Sequence, residues 1–61
     1  MGPAKFIIFF DVAGKWRFRL VAPNEEPIAA SEGYNSKQAC INGIEAVRKY
    51  APIAIIVDNT K

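Results

Sequence analysis

Residues 31–37 and the amphipathic run that follows them, residues 38–50, constrain the fold of this chain more than any other feature. Short apolar stretches separated by turns precede them, and one further apolar run, residues 53–57, follows. A helix with one apolar face must bury that face against another element, here a sheet built mainly from the N-terminal half. The pattern predicts an α+β fold with the order β-β-β-α-β, in which the helix covers one face of an antiparallel sheet.

Three strands are predicted in the N-terminal half, where β-branched and aromatic residues cluster between turn-forming residues. These strands are residues 6–10, 15–22 and 28–31. Gly14 suits the left-handed position of the first turn, residues 11–14. Pro23 and Pro27 cannot donate a backbone hydrogen bond, so we expect them to bracket the strands.

Side chains alternate most clearly in the second strand, and the alternation divides the sheet into two faces. The more apolar face is expected to lie under the helix, and it carries Trp16, Phe18, Leu20 and Ala22. The opposite face carries Arg17, Arg19 and Val21. With a simple hairpin register, Ile7 and Phe9 of the first strand lie beside the two arginines.

The helical run has recognisable boundaries. Ser36 is the expected N-cap, and Asn35 is an alternative because Gln38 would then occupy the capping-box position. Pro52 disfavours helical geometry at Ala51, so the helix is expected to end there. Helical spacing predicts a buried stripe formed by Cys40, Ile44, Val47 and Ala51.

Two further helical positions depart from the ordinary pattern. Gly43 lies at the edge of the stripe, although a glycine inside a helix costs about 1 kcal/mol relative to alanine. Its presence predicts that the helix backbone closely approaches the sheet or a partner. Ile41 is apolar at a position that is expected to face water.

The size of the chain favours association with a second copy. One domain, residues 1–61, is expected, and a chain this short buries about 60% of the surface that its unfolded form exposes. Disulfides, a metal or a partner subunit usually reinforce such small folds. Cys40 is the one cysteine and there is no histidine, so neither an internal disulfide nor a metal site is expected. Self-association is the remaining route.

Composition also bounds the surroundings in which the chain works. A single cysteine and the absence of a recognisable signal peptide predict the reducing cytoplasm. No apolar run approaches the ~20 residues that span a bilayer, so no membrane partner is expected. The net charge of +2 permits a nucleic-acid or acidic-protein partner without arguing for one.

The sequence gives little support to catalysis. Cys40 lies on the predicted buried stripe without a histidine base, and it is expected to be an inert core thiol. Glu25 and Glu26 are expected at the solvated tip of a turn, and Glu32 precedes the helix N-terminus, where negative charge is favourable. No catalytic, cofactor-binding or metal-binding residue is predicted, and no cofactor.

Several short motifs run in order through nearly the whole chain. They are Asp11-x-x-Gly14-Lys15-Trp16-Arg17-Phe18-Arg19-Leu20, Ser31-Glu32-Gly33-Tyr34-x-Ser36-Lys37, Cys40-x-x-Gly43-Ile44 and Ala51-Pro52. With these motifs the chain resembles the YegP-like family of small bacterial domains of unassigned function. It departs from that family at Ile7 and Phe9, where more polar residues are expected, and at Ile41, which is apolar at a helical position expected to be exposed. The resemblance brings no catalytic or ligand residues.

The resemblance implies a β3-α-β unit that occurs as a tandem repeat or as a single copy that dimerises. Two such units share one antiparallel sheet and exchange their C-terminal strands. For this chain, with one copy, it implies a homodimer, in agreement with the argument from size. The expected dimer strand contains Ile53, Ile55, Ile56 and Val57.

The sequence does not identify a biological role, but it ranks three classes. An interaction or structural module comes first, because the second face of the sheet mixes aliphatic, aromatic and guanidinium groups. The candidate interaction face is Ile7, Phe9, Arg17, Arg19 and Val21. Its occupant would be an unknown protein or, as the alternative, single-stranded nucleic acid that stacks on the face. An enzyme is the third and least favoured class.

Overall fold

The computed structural model describes residues 2–60, which form a three-stranded antiparallel sheet and one long helix. The strands pair in the order β1-β2-β3. The elements are β1 (Lys5–Phe10), β2 (Trp16–Val21), β3 (Pro27–Ala30), α1 (Lys37–Tyr50) and a 3-10 turn (Ala51–Ile53). The predicted α+β class and the first four elements are confirmed. Neither helical element in this part of the chain is long and apolar enough to cross a membrane.

A side chain fixes the turn between β1 and β2. The carboxylate of Asp11 accepts hydrogen bonds from the backbone N–H groups of Ala13 and Lys15, both at 2.9 Å. Gly14 has φ = 80°, the left-handed conformation predicted for it. The turn therefore needs both residues: an acidic acceptor at its start and a glycine before β2.

A β-bulge shortens the pairing of β2 with β3. Leu20 lies opposite Ala29, but Val21 lies opposite Pro27, so Ile28 is an extra residue on β3. Pro27 is the first residue of the strand, a position where its missing N–H is tolerated. All four residues of β3 are exposed, and β3 is a short, irregular edge of the sheet.

The segment between β3 and α1 is tied to β2 by its backbone. Tyr34 exchanges two hydrogen bonds with Trp16, at 2.7 and 2.9 Å. The hydroxyl of Ser36 accepts a hydrogen bond from the backbone of Ala39 at 3.1 Å, which confirms Ser36 as the N-cap. The alternative cap, Asn35, is wrong: its side chain accepts a hydrogen bond from Lys15 instead.

The core lies between α1 and one face of β1 and β2. Phe18, Cys40 and Ile44 are buried at its centre, surrounded by partly buried Phe6, Ile8, Trp16, Tyr34 and Val47. The predicted stripe is confirmed up to Val47, but Ala51 is exposed. A 3-10 turn begins at Ala51, and it has about 3.0 residues per turn where an α-helix has about 3.6. The helical spacing that defines the buried stripe therefore does not continue through Ala51. Ile41, expected to face water, is partly buried.

Residues 53–57, predicted as a fourth strand that pairs with a second chain, do not form a strand in the single chain. Ile53 ends the 3-10 turn, and residues 54–60, called the tail below, have no regular secondary structure. The backbone at Ala54 is extended, with φ = −72° and ψ = 134°. The sheet in residues 2–60 consists of β1, β2 and β3, and the tail pairs with none of them. An apolar sequence favours a strand, but a strand also needs a neighbour that satisfies its backbone groups.

Candidate interaction face

The pairing of β1 with β2 determines which side chains share the sheet face away from α1. Ile7 lies opposite Arg19, Phe9 opposite Arg17, and Lys5 opposite Val21. Cross-strand partners point to the same side of a sheet. The register therefore brings all five residues of the sequence-predicted interaction face together with Lys5, and these six residues are called the open face below.

Arg19 and Phe9 form the centre of the open face. The guanidinium carbon of Arg19 lies 4.7 Å from the centroid of the Phe9 ring, within range of a cation–π interaction. Arg19 is exposed and Phe9 is partly buried. Ile7, opposite Arg19, is 38% exposed. The open face thus offers one charged group resting on an aromatic ring, with an aliphatic side chain beside it.

Arg17 has a structural role that sequence reasoning missed. Its Nε donates to the Asp11 carboxylate at 2.5 Å, and its Nη1 donates to the carbonyl oxygen of Ser31 at 3.1 Å. The side chain thereby connects the first turn to the segment after β3. A signal for this contact was present, because Asp11 is two residues beyond Phe9, the cross-strand partner of Arg17.

The hydrogen bonds around Asp11 also change its acidity. The backbone N–H of Lys15 contributes most, followed by the guanidinium of Arg17, and together with the N–H of Ala13 they lower the pKa of Asp11. Each of these groups stabilises the charged carboxylate. Asp11 is therefore the anion that balances the charge of Arg17. It does not form an ion pair with Arg19.

Val21 was predicted as part of an exposed interaction surface, and this is wrong in one respect. The register places it on the open face, but it is 3% exposed. Its neighbour Lys5 reaches the carboxylate of Glu25 at 3.0 Å, and Glu25 lies in the next turn with φ = 70°. The Lys5–Glu25 pair lies at the same end of the open face as Val21.

The residues of the predicted dimer strand lie apart from the open face, on the 3-10 turn and the tail. Their exposed fractions are 75% for Ile53, 83% for Ile55, 96% for Ile56 and 68% for Val57. Each is a large apolar side chain in water, and no neighbouring element of residues 2–60 covers it. This is the largest departure of the structure from ordinary burial.

Exposed apolar side chains that the sequence did not single out lie on the helix side of the sheet, at Phe10, and at the hairpin tip, at Val12. Phe10 is 60% exposed at the end of β1, and its ring meets Trp16 edge-on with centroids 5.1 Å apart. Val12 is fully exposed at the tip of the hairpin. Residues 2–60 contain no pocket and no group of three side chains able to hold a metal ion.

Comparisons with known proteins identify relatives of this arrangement. A UPF0339 protein of Treponema denticola is 54% identical over 54 residues, which cover 88% of this chain and 93% of that protein. The "UPF0339 protein in ptx operon 5'region" of Stutzerimonas stutzeri is 55% identical over 47 residues, 77% of this chain but 42% of that protein. A protein from Haloferax volcanii, solved by NMR in solution, superposes with a TM-score of 0.85 at 44% identity, covering 95% of this chain and 98% of that one.

A family model described as "Domain of unknown function (DUF1508)" matches residues 11–58, most of the chain. This match begins after β1 and spans the first turn, β2, β3, the helix and the apolar part of the tail. The chain therefore belongs to the DUF1508 (UPF0339) family, the YegP-like family that its motifs resemble, whose function is unknown.

Proposed function

We propose that this protein is a non-enzymatic interaction module that works as a homodimer, in which the tail of each chain pairs with the sheet of the other. The observation that carries the proposal is the exposed apolar surface of the tail and of Ile53, the residue before it. Four large apolar side chains, at Ile53, Ile55, Ile56 and Val57, are between 68% and 96% exposed in the single chain. Burying one such side chain contributes about 1.5–3 kcal/mol. An edge strand of a second copy supplies both the apolar cover and the backbone hydrogen bonds that the tail lacks.

The preferred acceptor is the outer edge of β1. That strand is six residues long, pairs regularly with β2, and contains no proline. The other edge, β3, has four residues, begins with Pro27 and carries a bulge at Ile28, all of which hinder the addition of a strand. Strand addition uses backbone hydrogen bonds along a regular edge, and β1 provides that edge.

The length of one relative supports a paired unit. The aligned 47 residues are 42% of the Stutzerimonas protein, so that protein is about 110 residues long, close to twice the length of this chain. A chain of that length has room for two units of this size. In a homodimer, two separate chains would supply the two units.

Pairing of two copies would also present the open face twice in one particle. Two linked copies of a weak site bind a symmetric or repetitive target more tightly than one copy does. We therefore propose that the open face binds the partner and that the tail holds the dimer together.

The test is the oligomeric state of the full chain and of one tail variant. Size-exclusion chromatography with light scattering should give a dimer for the wild type at micromolar concentration. Ile55→Asp places a charge in the paired strand of both chains and should raise the dissociation constant by about tenfold or more. Val12→Asp is the matched control, because Val12 is fully exposed at the hairpin tip and should leave the dimer intact.

Two outcomes would contradict the dimer. One is a wild-type monomer at millimolar concentration. The other is equal association of the wild type and Ile55→Asp. Isotope-filtered NMR on a mixture of labelled and unlabelled chains would locate the acceptor, with contacts expected between the tail of one chain and β1 of the other.

A further inference from the structure

We propose that the open face recognises a protein segment that presents a carboxylate between apolar side chains, and that Arg19 is the residue that binds the carboxylate. This inference rests on the proposed function, because it names the chemistry of the partner for the same face. It goes further because it selects three of the five sequence-predicted residues as partner contacts. Arg19 is the charged contact, and Ile7 and Phe9 are the apolar contacts.

Arg19 is distinguished from the other cations of the open face by its lack of a paired carboxylate among residues 2–60. The face carries three cations, and two of them are balanced within the chain: Lys5 by Glu25 at 3.0 Å and Arg17 by Asp11 at 2.5 Å. Among residues 2–60, Arg19 is the cation of this face without a carboxylate within 4.0 Å. An unbalanced charge in a partly apolar surface is stabilised by an anion from outside.

The surroundings of Arg19 favour a carboxylate as that anion. The guanidinium of Arg19 rests on the Phe9 ring, 4.7 Å from its centroid. The planar fork of a guanidinium is pre-organised and matches a carboxylate through two parallel hydrogen bonds. Ile7, opposite Arg19 and 38% exposed, offers an apolar contact beside the ion pair.

The same observations disfavour single-stranded nucleic acid. Proteins bind a phosphate backbone through several cations, which together displace the counterions of the nucleic acid. The open face has only one cation, Arg19, that is not already paired with a carboxylate among residues 2–60. Stacking of bases needs exposed aromatic rings, and the single ring here is partly buried with a guanidinium over it. One charge in an apolar setting is complementary to one carboxylate in an apolar segment.

The experiment uses a phage-displayed library of random dodecapeptides, selected on the immobilised full-length wild type. Enriched peptides should carry Asp or Glu next to apolar residues. A synthetic copy of an enriched peptide is then titrated against the wild type, Arg19→Gln and Arg48→Gln. Arg19→Gln should weaken binding by about tenfold or more, because a charge-assisted bond is lost. Arg48 is an exposed arginine on α1 and serves as the matched control, which should bind within about twofold of the wild type.

NMR mapping provides a second readout, in which the peptide should shift the resonances of Ile7, Phe9 and Arg19. The inference is overturned if no peptide is enriched, if the enriched peptides lack an acidic residue, or if Arg19→Gln binds as the wild type does. It is also overturned if a twenty-residue oligothymidylate binds more tightly than the peptide and loses affinity steeply with salt.

Light scattering on the same samples separates this inference from the dimer. Arg19→Gln should remain a dimer, because Arg19 lies on the open face and not on the tail. If the wild type is a dimer but the peptide results fail, the partner chemistry alone is wrong. If the wild type is a monomer that binds acidic peptides through Arg19, the dimer alone is wrong.

Discussion

The ring of Tyr34 occupies the space beside α1 that a side chain at Gly43 would fill. A Cβ atom added at Gly43 would overlap the Tyr34 hydroxyl and lie 2.8 Å from its Cζ. Tyr34 cannot withdraw easily, because its backbone is paired with Trp16 and its ring stacks on Phe18 with centroids 6.3 Å apart. The glycine therefore makes room for the aromatic side chain that joins the segment after β3 to the core.

This relationship predicts the effect of Gly43→Ala on stability. Helix propensity alone would stabilise the variant by about 1 kcal/mol. Overpacking against Tyr34 typically costs about 1–3 kcal/mol, so a net loss of about 1 kcal/mol is expected. Urea denaturation of the full chain measures it. Ala46→Gly, at an exposed position of the same helix, is the control and should lose about 1 kcal/mol through propensity alone. A Gly43→Ala variant more stable than the wild type would show that Tyr34 yields without strain.

Asp11 should make stability depend on pH. Its pKa is lowered in the folded protein by the Lys15 N–H and by Arg17, relative to about 3.9 in an unfolded chain. The stabilisation is therefore present above that unfolded value and is lost as the pH falls through the lowered folded value. Asp11→Asn should be less stable than the wild type at pH 7, and the difference should shrink as the pH approaches 2. Denaturant titrations at several pH values measure it.

A second carboxylate provides the control for this pH dependence. Glu45 pairs with Arg48 at 3.3 Å on the exposed side of α1, where an ion pair contributes little. Glu45→Gln should follow the wild-type pH profile closely. If Asp11→Asn also follows it, the Asp11–Arg17 contact does not stabilise the fold.

Local signals in the sequence predicted most of the fold, and interactions between distant segments account for what was missed. Alternation in β2, the Ser36 cap and the left-handed Gly14 each depend on a few neighbouring residues. Val21 is buried although alternation places it on the open face. Alternation assigns a side chain to one face of the sheet. It does not report how much of that side chain other parts of the fold cover.

The candidate site shows the same division. Sequence reasoning placed Arg17 and Arg19 on one face, and the register does so too. It could not distinguish their roles, because the difference lies in a turn carboxylate that reaches Arg17 and not Arg19. Residues 53–57 were predicted as a strand from their apolar side chains. Sequence reports the tendency to be buried, whereas a strand also requires a neighbour, and residues 2–60 provide none for the tail.

Cys40 should behave as an unreactive part of the core. It is fully buried, and it packs with Phe18 and Ile44. A thiol reagent should react with it at the rate set by unfolding, and urea should accelerate the reaction. Cys40→Ala should lose about 1 kcal/mol of stability. Cys40→Ser should lose more, because it buries a hydroxyl among apolar side chains. Rapid labelling of the native protein would contradict this assignment.

Two residues of equal exposure distinguish the edges that could accept the tail. Phe10 on β1 is 60% exposed and Ile28 on β3 is 61% exposed. If the partner's tail pairs with β1, Phe10 becomes covered in both chains, and Phe10→Ala should raise the dimer dissociation constant by about tenfold or more. Ile28→Ala should leave it within about twofold. Sedimentation equilibrium measures both, and the melting temperature of the wild type should rise with protein concentration. The opposite ranking of the two variants would place the tail on β3.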